Sequence, residues 1–101
     1  MLFRSPWLIA LYPIWARLKP AHLRSAVRLA LTELLLSGCT TAADHHYLFP
    51  PGLENAVDIE VEEARRLGLR MTVTRGSMTV SKKDGGIPPD EIVQEIGRAH
   101  V

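Results

Sequence analysis

Cysteine is almost missing: Cys39 stands alone among 101 residues, which excludes an internal disulfide framework and fits a reducing compartment. Charge of one sign is missing too. Twelve basic and eleven acidic side chains leave a formal net charge of +1, and Arg17, Lys19, Arg24 and Arg28 are interspersed with apolar residues, so no basic footprint for nucleic acid is written here. No stretch reaches the ~18 continuous apolar residues of a membrane helix. Internal repeats and low-complexity runs are absent. The glycines of Lys82-Lys83-Asp84-Gly85-Gly86 open no helix and fit neither a phosphate loop nor a dinucleotide fingerprint. What remains is 47% hydrophobic and 23% charged, the composition of one small globular domain.

One targeting pattern needs weighing. Leu36-Ser37-Gly38-Cys39 has the form of a lipoprotein cleavage box, which would make the chain a lipid-anchored envelope protein without catalysis. Against it, Thr32 and Glu33 would fall inside the apolar region, and 38 residues would precede Cys39 where a signal spans about 15–30. An ionised Glu is costly in a membrane-crossing segment.

Periodicity gives the organisation. Trp7, Leu8, Leu11, Tyr12, Ile14 and Trp15 predict a short amphipathic helix within Pro6–Leu18, with Pro13 kinking it or starting a new turn. Pro20 suits a helix first turn, and Leu23, Val27, Leu31 and Leu34 recur every three or four residues up to a stop at Gly38. Cys39–Asp44 is expected as a strand and Tyr47–Gly52 as a loop. From Leu53 to Leu67, the residues Ala56, Ile59, Glu60, Glu63, Ala64 and Leu67 set a helix with an acidic outer face, closed by Gly68. Leu69–Thr74 reads as a second strand with Leu69, Met71 and Val73 on one side. Gly76–Pro89 is a long loop in which Lys82–Gly86 makes an exposed turn. The alternation predicts a right-handed βαβ unit with parallel strands across Cys39–Thr74. Such a unit is normally one slice of a larger sheet, because both outer edges are unpaired.

Polar, titratable groups at the outgoing end of a strand are what an α/β enzyme places at its pocket. Here they are Asp44, His45 and His46. Imidazole and carboxylate invite a metal reading, but neighbours on an extended strand point to opposite faces, so His45 and His46 cannot easily meet one ion. The residues favour a pocket-lining role for them, the alternative being one His that caps the strand and one that is solvated. Arg75, after the second strand, is placed to grip a substrate carbonyl or carboxylate through its planar fork, or else is a surface arginine. Ser77 lacks a His–acid partner spacing. Cys39 reads as a packed thiol rather than a reactive one.

Five phrases in order carry a resemblance: Leu11-Tyr12-Pro13-Ile14-Trp15-Ala16, Glu33 to Thr41, Asp44-His45-His46-Tyr47-Leu48-Phe49-Pro50, Thr74-Arg75-Gly76-Ser77-Met78, and Asp84-Gly85-Gly86-Ile87-Pro88-Pro89-Asp90. Together they resemble the 8-oxoguanine deaminase and hydroxydechloroatrazine ethylaminohydrolase group of the amidohydrolase superfamily, over about Leu2 to Gln94. The resemblance implies an α/β chain that is a fragment of a (β/α)8 barrel, its strands 2 and 3 with their helices. It implies hydrolysis in which a divalent ion, usually zinc, activates water against an amidine carbon and a carboxylate shuttles protons to the leaving nitrogen. The expected substrate is 8-oxoguanine or a similar purine, with a triazine substrate or a guanine deaminase relationship as alternatives. The expected setting is cytoplasmic, without nucleic acid or membrane partners, in a parent enzyme that can be a homo-oligomer.

The group's His-x-His pair, later His and Asp ligands, and general acid/base Glu have no counterpart in this sequence. No catalytic residue and no metal ligand is therefore assigned, and His45, His46 and Arg75 are the expected substrate-binding residues by position alone. Two further expectations follow. The polypeptide as written should neither bind the catalytic metal tightly nor deaminate a purine, and its open strand edges should favour aggregation or loose packing. Residues 1–95 are read as a partial barrel domain and 96–101 as a non-native tail. Ile96-Gly97-Arg98-Ala99-His100-Val101 leaves the family pattern abruptly, and can be encoded ATC GGA AGA GCA CAC GTC, which reads like a sequencing-library adapter.

Overall fold

The computed structural model describes residues 5–78 and 80–93. In chain order it contains helix α1 (Ser5–Trp15), helix α2 (Pro20–Leu36), strand β1 (Thr41–His46), helix α3 (Ala56–Leu67) and strand β2 (Arg70–Arg75). Single 3-10 turns follow at Lys82–Asp84 and Asp90–Ile92. The chain divides into two compact units, Lys19–His46 with Asn55–Arg75, and the remaining segments.

In the βαβ unit, α2 begins at a proline whose missing N–H would have had no helical partner. Just before it, the Lys19 N–H donates to His22 Nδ1 at 3.1 Å. The four-residue spacing of Leu23, Val27 and Leu31 buries all three, and each such burial contributes about 1.5–3 kcal/mol. Both helices stop at a glycine in the left-handed region, Gly38 at φ 97° and Gly68 at φ 79°. The residue after each glycine donates back into the last turn, Cys39 N–H to the Leu34 carbonyl at 2.9 Å and Leu69 N–H to the Ala64 carbonyl at 3.0 Å. That geometry is one a side chain with Cβ adopts only under strain. Strands β1 and β2 then pair in parallel, from Thr41 opposite Arg70 to His46 opposite Arg75.

The predicted parallel βαβ arrangement is thus present, with shifted bounds. The expected strand Cys39–Asp44 runs instead from Thr41 to His46, and Leu69–Thr74 from Arg70 to Arg75. The Schellman-type turn consumes Cys39 and Thr40, so the strand starts later and carries both histidines. Cys39, expected to be packed, is exposed. The acidic outer face of α3 also needs correction: Glu60 and Glu63 are 2% and 0% exposed and lie on the buried face with Ala56, Ile59 and Ala64. The helix begins at Ala56, not Leu53, and Leu53 is fully buried in the preceding turn.

The second unit carries its own packing. Trp15 meets Trp7 and Tyr12 edge to face, with ring centroids 5.7 and 5.6 Å apart, a favoured aromatic geometry. Pro13 sits inside α1. Tyr12, Phe49, Leu53 and Ile92 are buried. In the loop after β2, Gly86 N–H donates to the Ser81 carbonyl at 2.8 Å and Lys82 N–H to the Pro88 carbonyl at 2.9 Å. The expected turn at Lys82–Gly86 is present and exposed through Gly85, and it takes the form of a tied 3-10 turn. The division at residue 95 and the tail 96–101 lie outside the described residues. Among the described residues, no helix is long and apolar enough to cross a membrane.

Candidate functional site

The outgoing end of β1 sorts its titratable residues by strand alternation. Ala42, Asp44 and His46 turn toward the helices, since they line a groove with Leu23, Val27 and Leu31 of α2. Thr41 and His45, of the opposite parity, are exposed, and Ala43 between them reaches the edge of the same groove. His46 is 9% exposed, and its Nδ1 lies 2.8 Å from Glu60 Oε1. His45 Nδ1 is instead 2.8 Å from Thr74 Oγ1, and that hydroxyl is 3.4 Å from the Asp44 carbonyl. Which partner donates in the His45–Thr74 contact depends on the imidazole tautomer. Arg75, opposite His46 in register, has the strand parity of Met71 and Val73. The three residues expected at a pocket are thus divided between two faces of the sheet.

Glu60 is the residue that sequence reasoning passed over. It approaches His46 from α3, across fourteen residues of chain, and no local spacing announces that meeting. The ligating atoms of Asp44, His46 and Glu60 all lie within 4.8 Å of one another. Burial pushes the Glu60 carboxyl above its ordinary range, and the neighbouring Asp44 adds to the push while His46 opposes it. A turn later on the same helix, the situation is reversed. Glu63 accepts from Arg28 Nε at 2.9 Å and from Arg24 at 3.0 Å, and these guanidiniums, Arg28 first, hold its carboxyl down at about 2.

No family model matches the chain. Individual proteins do. Over 90 residues, 89% of this chain, it is 61% identical to 8-oxoguanine deaminase of Pseudomonas aeruginosa. This is a segment of the amidohydrolase superfamily. A hydroxydechloroatrazine ethylaminohydrolase from a Pseudomonas species is 34% identical over 83% of the chain. Among solved structures, a triazine hydrolase variant superposes with a TM-score of 0.85 at 33% identity over 94% of the chain. A zinc-complexed atrazine chlorohydrolase from Arthrobacter aurescens matches 97% of it with a TM-score of 0.72 at 34% identity. The amidohydrolase segment spans about a fifth of the length of these relatives, 20% of the deaminase and 22% of the triazine hydrolase.

The zinc of this superfamily does not fit the residues present. A His-x-His pair offers two imidazoles from one face of a strand, whereas His45 and His46 are adjacent and face opposite ways, one toward Thr74 and the other toward Glu60.

Proposed function

We propose that this segment belongs to a metal-dependent hydrolytic deaminase that releases ammonia from 8-oxoguanine or a closely related purine. The observation that carries the reading is 61% identity spread over 90 of the 101 residues. Because at most 11 residues fall outside that match, most of the region before Cys39 lies within it. In this reading β1 and β2 are the second and third strands of the barrel, the setting is cytoplasmic, and the metal is held by residues other than those described here.

Within such a site, His45 from the exposed face and Arg75 from the rim of the opposite face, where it pairs in register with His46, would reach the substrate at the outgoing strand ends. His45 is the better placed histidine of its pair, since it lies on the exposed face and its ring is held by Thr74. An imidazole so fixed can meet a ring nitrogen or carbonyl of a purine, and the planar fork of Arg75 suits a carbonyl. His46, turned toward Glu60, is expected to hold strand to helix. A triazine substrate is the second reading, favoured by the structural match to triazine hydrolases.

The test is to express the intact protein that contains this segment and follow ammonia from 8-oxoguanine beside amine release from hydroxydechloroatrazine. Preference for the purine supports the first reading, and preference for the triazine the second. Replacing His45 or Arg75 by Ala should lower kcat/KM about 10-fold or more on the preferred substrate. Unchanged kinetics in both would remove these residues from the substrate site.

A further inference from the structure

We propose that Asp44, His46 and Glu60 form a binding site for a divalent transition metal of the zinc class on the helix-covered face of β1, apart from the substrate face marked by His45. The site is independent of the deaminase reading. Strand alternation aligns Asp44 with His46, two residues apart, and α3 lowers Glu60 onto them. One imidazole nitrogen and two carboxylate oxygens are a donor set that suits zinc, and three protein ligands leave a position for water. All three ligating atoms lie within 4.8 Å of one another. Donors on a tetrahedral zinc stand roughly 3.3 Å apart when each bond is about 2.0 Å. The 2.8 Å gap from His46 to Glu60 would therefore open by about half an ångström while the longer gaps close.

A second observation singles the cluster out. Glu60 is 2% exposed, yet its Oε1 makes no aligned hydrogen bond despite the nearby imidazole. A buried carboxylate oxygen normally has one. Glu63, equally buried, has two arginines in charge-assisted hydrogen bonds, whereas Glu60 has no guanidinium among the described residues and meets the imidazole of His46 at 2.8 Å. Two carboxylates held near one imidazole form an environment that a +2 ion relieves. Access exists as well, because a groove of about 250 Å³ between α2 and β1 is lined by Asp44, His46 and Glu60 together with apolar side chains of α2.

The experiment uses the full chain without an affinity tag, titrated with Co²⁺ by visible absorbance and with Zn²⁺ by competition against a chromophoric chelator. One equivalent per chain is expected, with the intense ligand-field bands of a low-coordinate cobalt site. His46→Gln and Glu60→Gln should each weaken binding 10-fold or more, and Asp44→Asn by a smaller factor. His45→Ala and His22→Ala should leave affinity unchanged. Should Glu60→Gln perturb folding, seen as lost helical circular dichroism, Asp44→Asn and His46→Gln decide the matter. Absence of saturable binding, whether the chain is dispersed or aggregated, overturns the site. So does equal loss on replacing His45, or a thermal midpoint that excess Zn²⁺ does not raise, since a ligand bound to the native state must stabilise it.

Discussion

Glu60 and Glu63 are the same residue type, one turn apart on one face of α3, and both are shut away from solvent. Their surroundings push them in opposite directions. Arg28 and Arg24 from α2 surround Glu63 and depress its carboxyl to about 2, whereas Glu60 meets an imidazole and a second carboxylate, and burial raises it. The difference teaches that burial alone says nothing about what a carboxylate does. With matched cations it fastens two helices together, and beside an imidazole and a second carboxylate it becomes the kind of perturbed group by which functional sites are recognised.

The largest expected effect sits next to Glu60, on the same buried face, and tests whether apolar contact or ion pairing holds α3. Ile59 is 1% exposed, and Ile59→Ala should cost about 2–5 kcal/mol in a urea denaturation series. A loss well below that would mean that the ionic clamp, not the core, carries the helix.

Next, Glu63→Gln should lower the thermal midpoint at pH 7 by roughly 5–10 °C, and metal-free Glu60→Gln by clearly less, because the amide removes a buried charge that lacked an arginine. Equal losses would erase the comparison. The sign of the pH dependence follows from the depressed carboxyl. Ionised Glu63 stabilises the fold fully above its ordinary value of 4.5, and that contribution disappears as the pH falls through about 2. The advantage of the unaltered chain over Glu63→Gln should therefore shrink between those limits and vanish below the lower one. An advantage that persists unchanged in acid would mean that packing rather than charge separates the two variants.

The smallest effect sharpens the contrast between the two faces of β1. Thr74→Val removes the hydroxyl 2.8 Å from His45 Nδ1 and should cost only about 0.5–1 kcal/mol. It should shift the ring resonances of His45 and leave those of His46 in place. A shift at His46 would show that the two faces are coupled.

Much of the fold was legible residue by residue. Leu23, Val27 and Leu31 declared a buried helical face, Pro20 a start, Gly38 and Gly68 the stops, and the order of periods a parallel βαβ unit, because each is a local consequence of backbone geometry and side-chain spacing. Alternation also foretold that His45 and His46 would part. The strand bounds slipped by one or two residues where the turn after Gly38 took up Cys39 and Thr40, and Cys39 came out exposed instead of packed. Five short phrases marked the superfamily, which the comparisons bear out.

What the sequence by itself determined, then, is the series of elements, their parallel pairing and the kinship of the chain, all of which rest on near neighbours or on ordered motifs. Only the tertiary structure decided which glutamates are buried and what each one meets. A helical period shows that Glu60 and Glu63 share a face, but not that Arg24 and Arg28 stand over one and His46 with Asp44 over the other. Those pairs are joined across many residues of chain by the packing of α3 against α2 and β1, and the energy of a charge is set by what packing brings within a few ångströms of it.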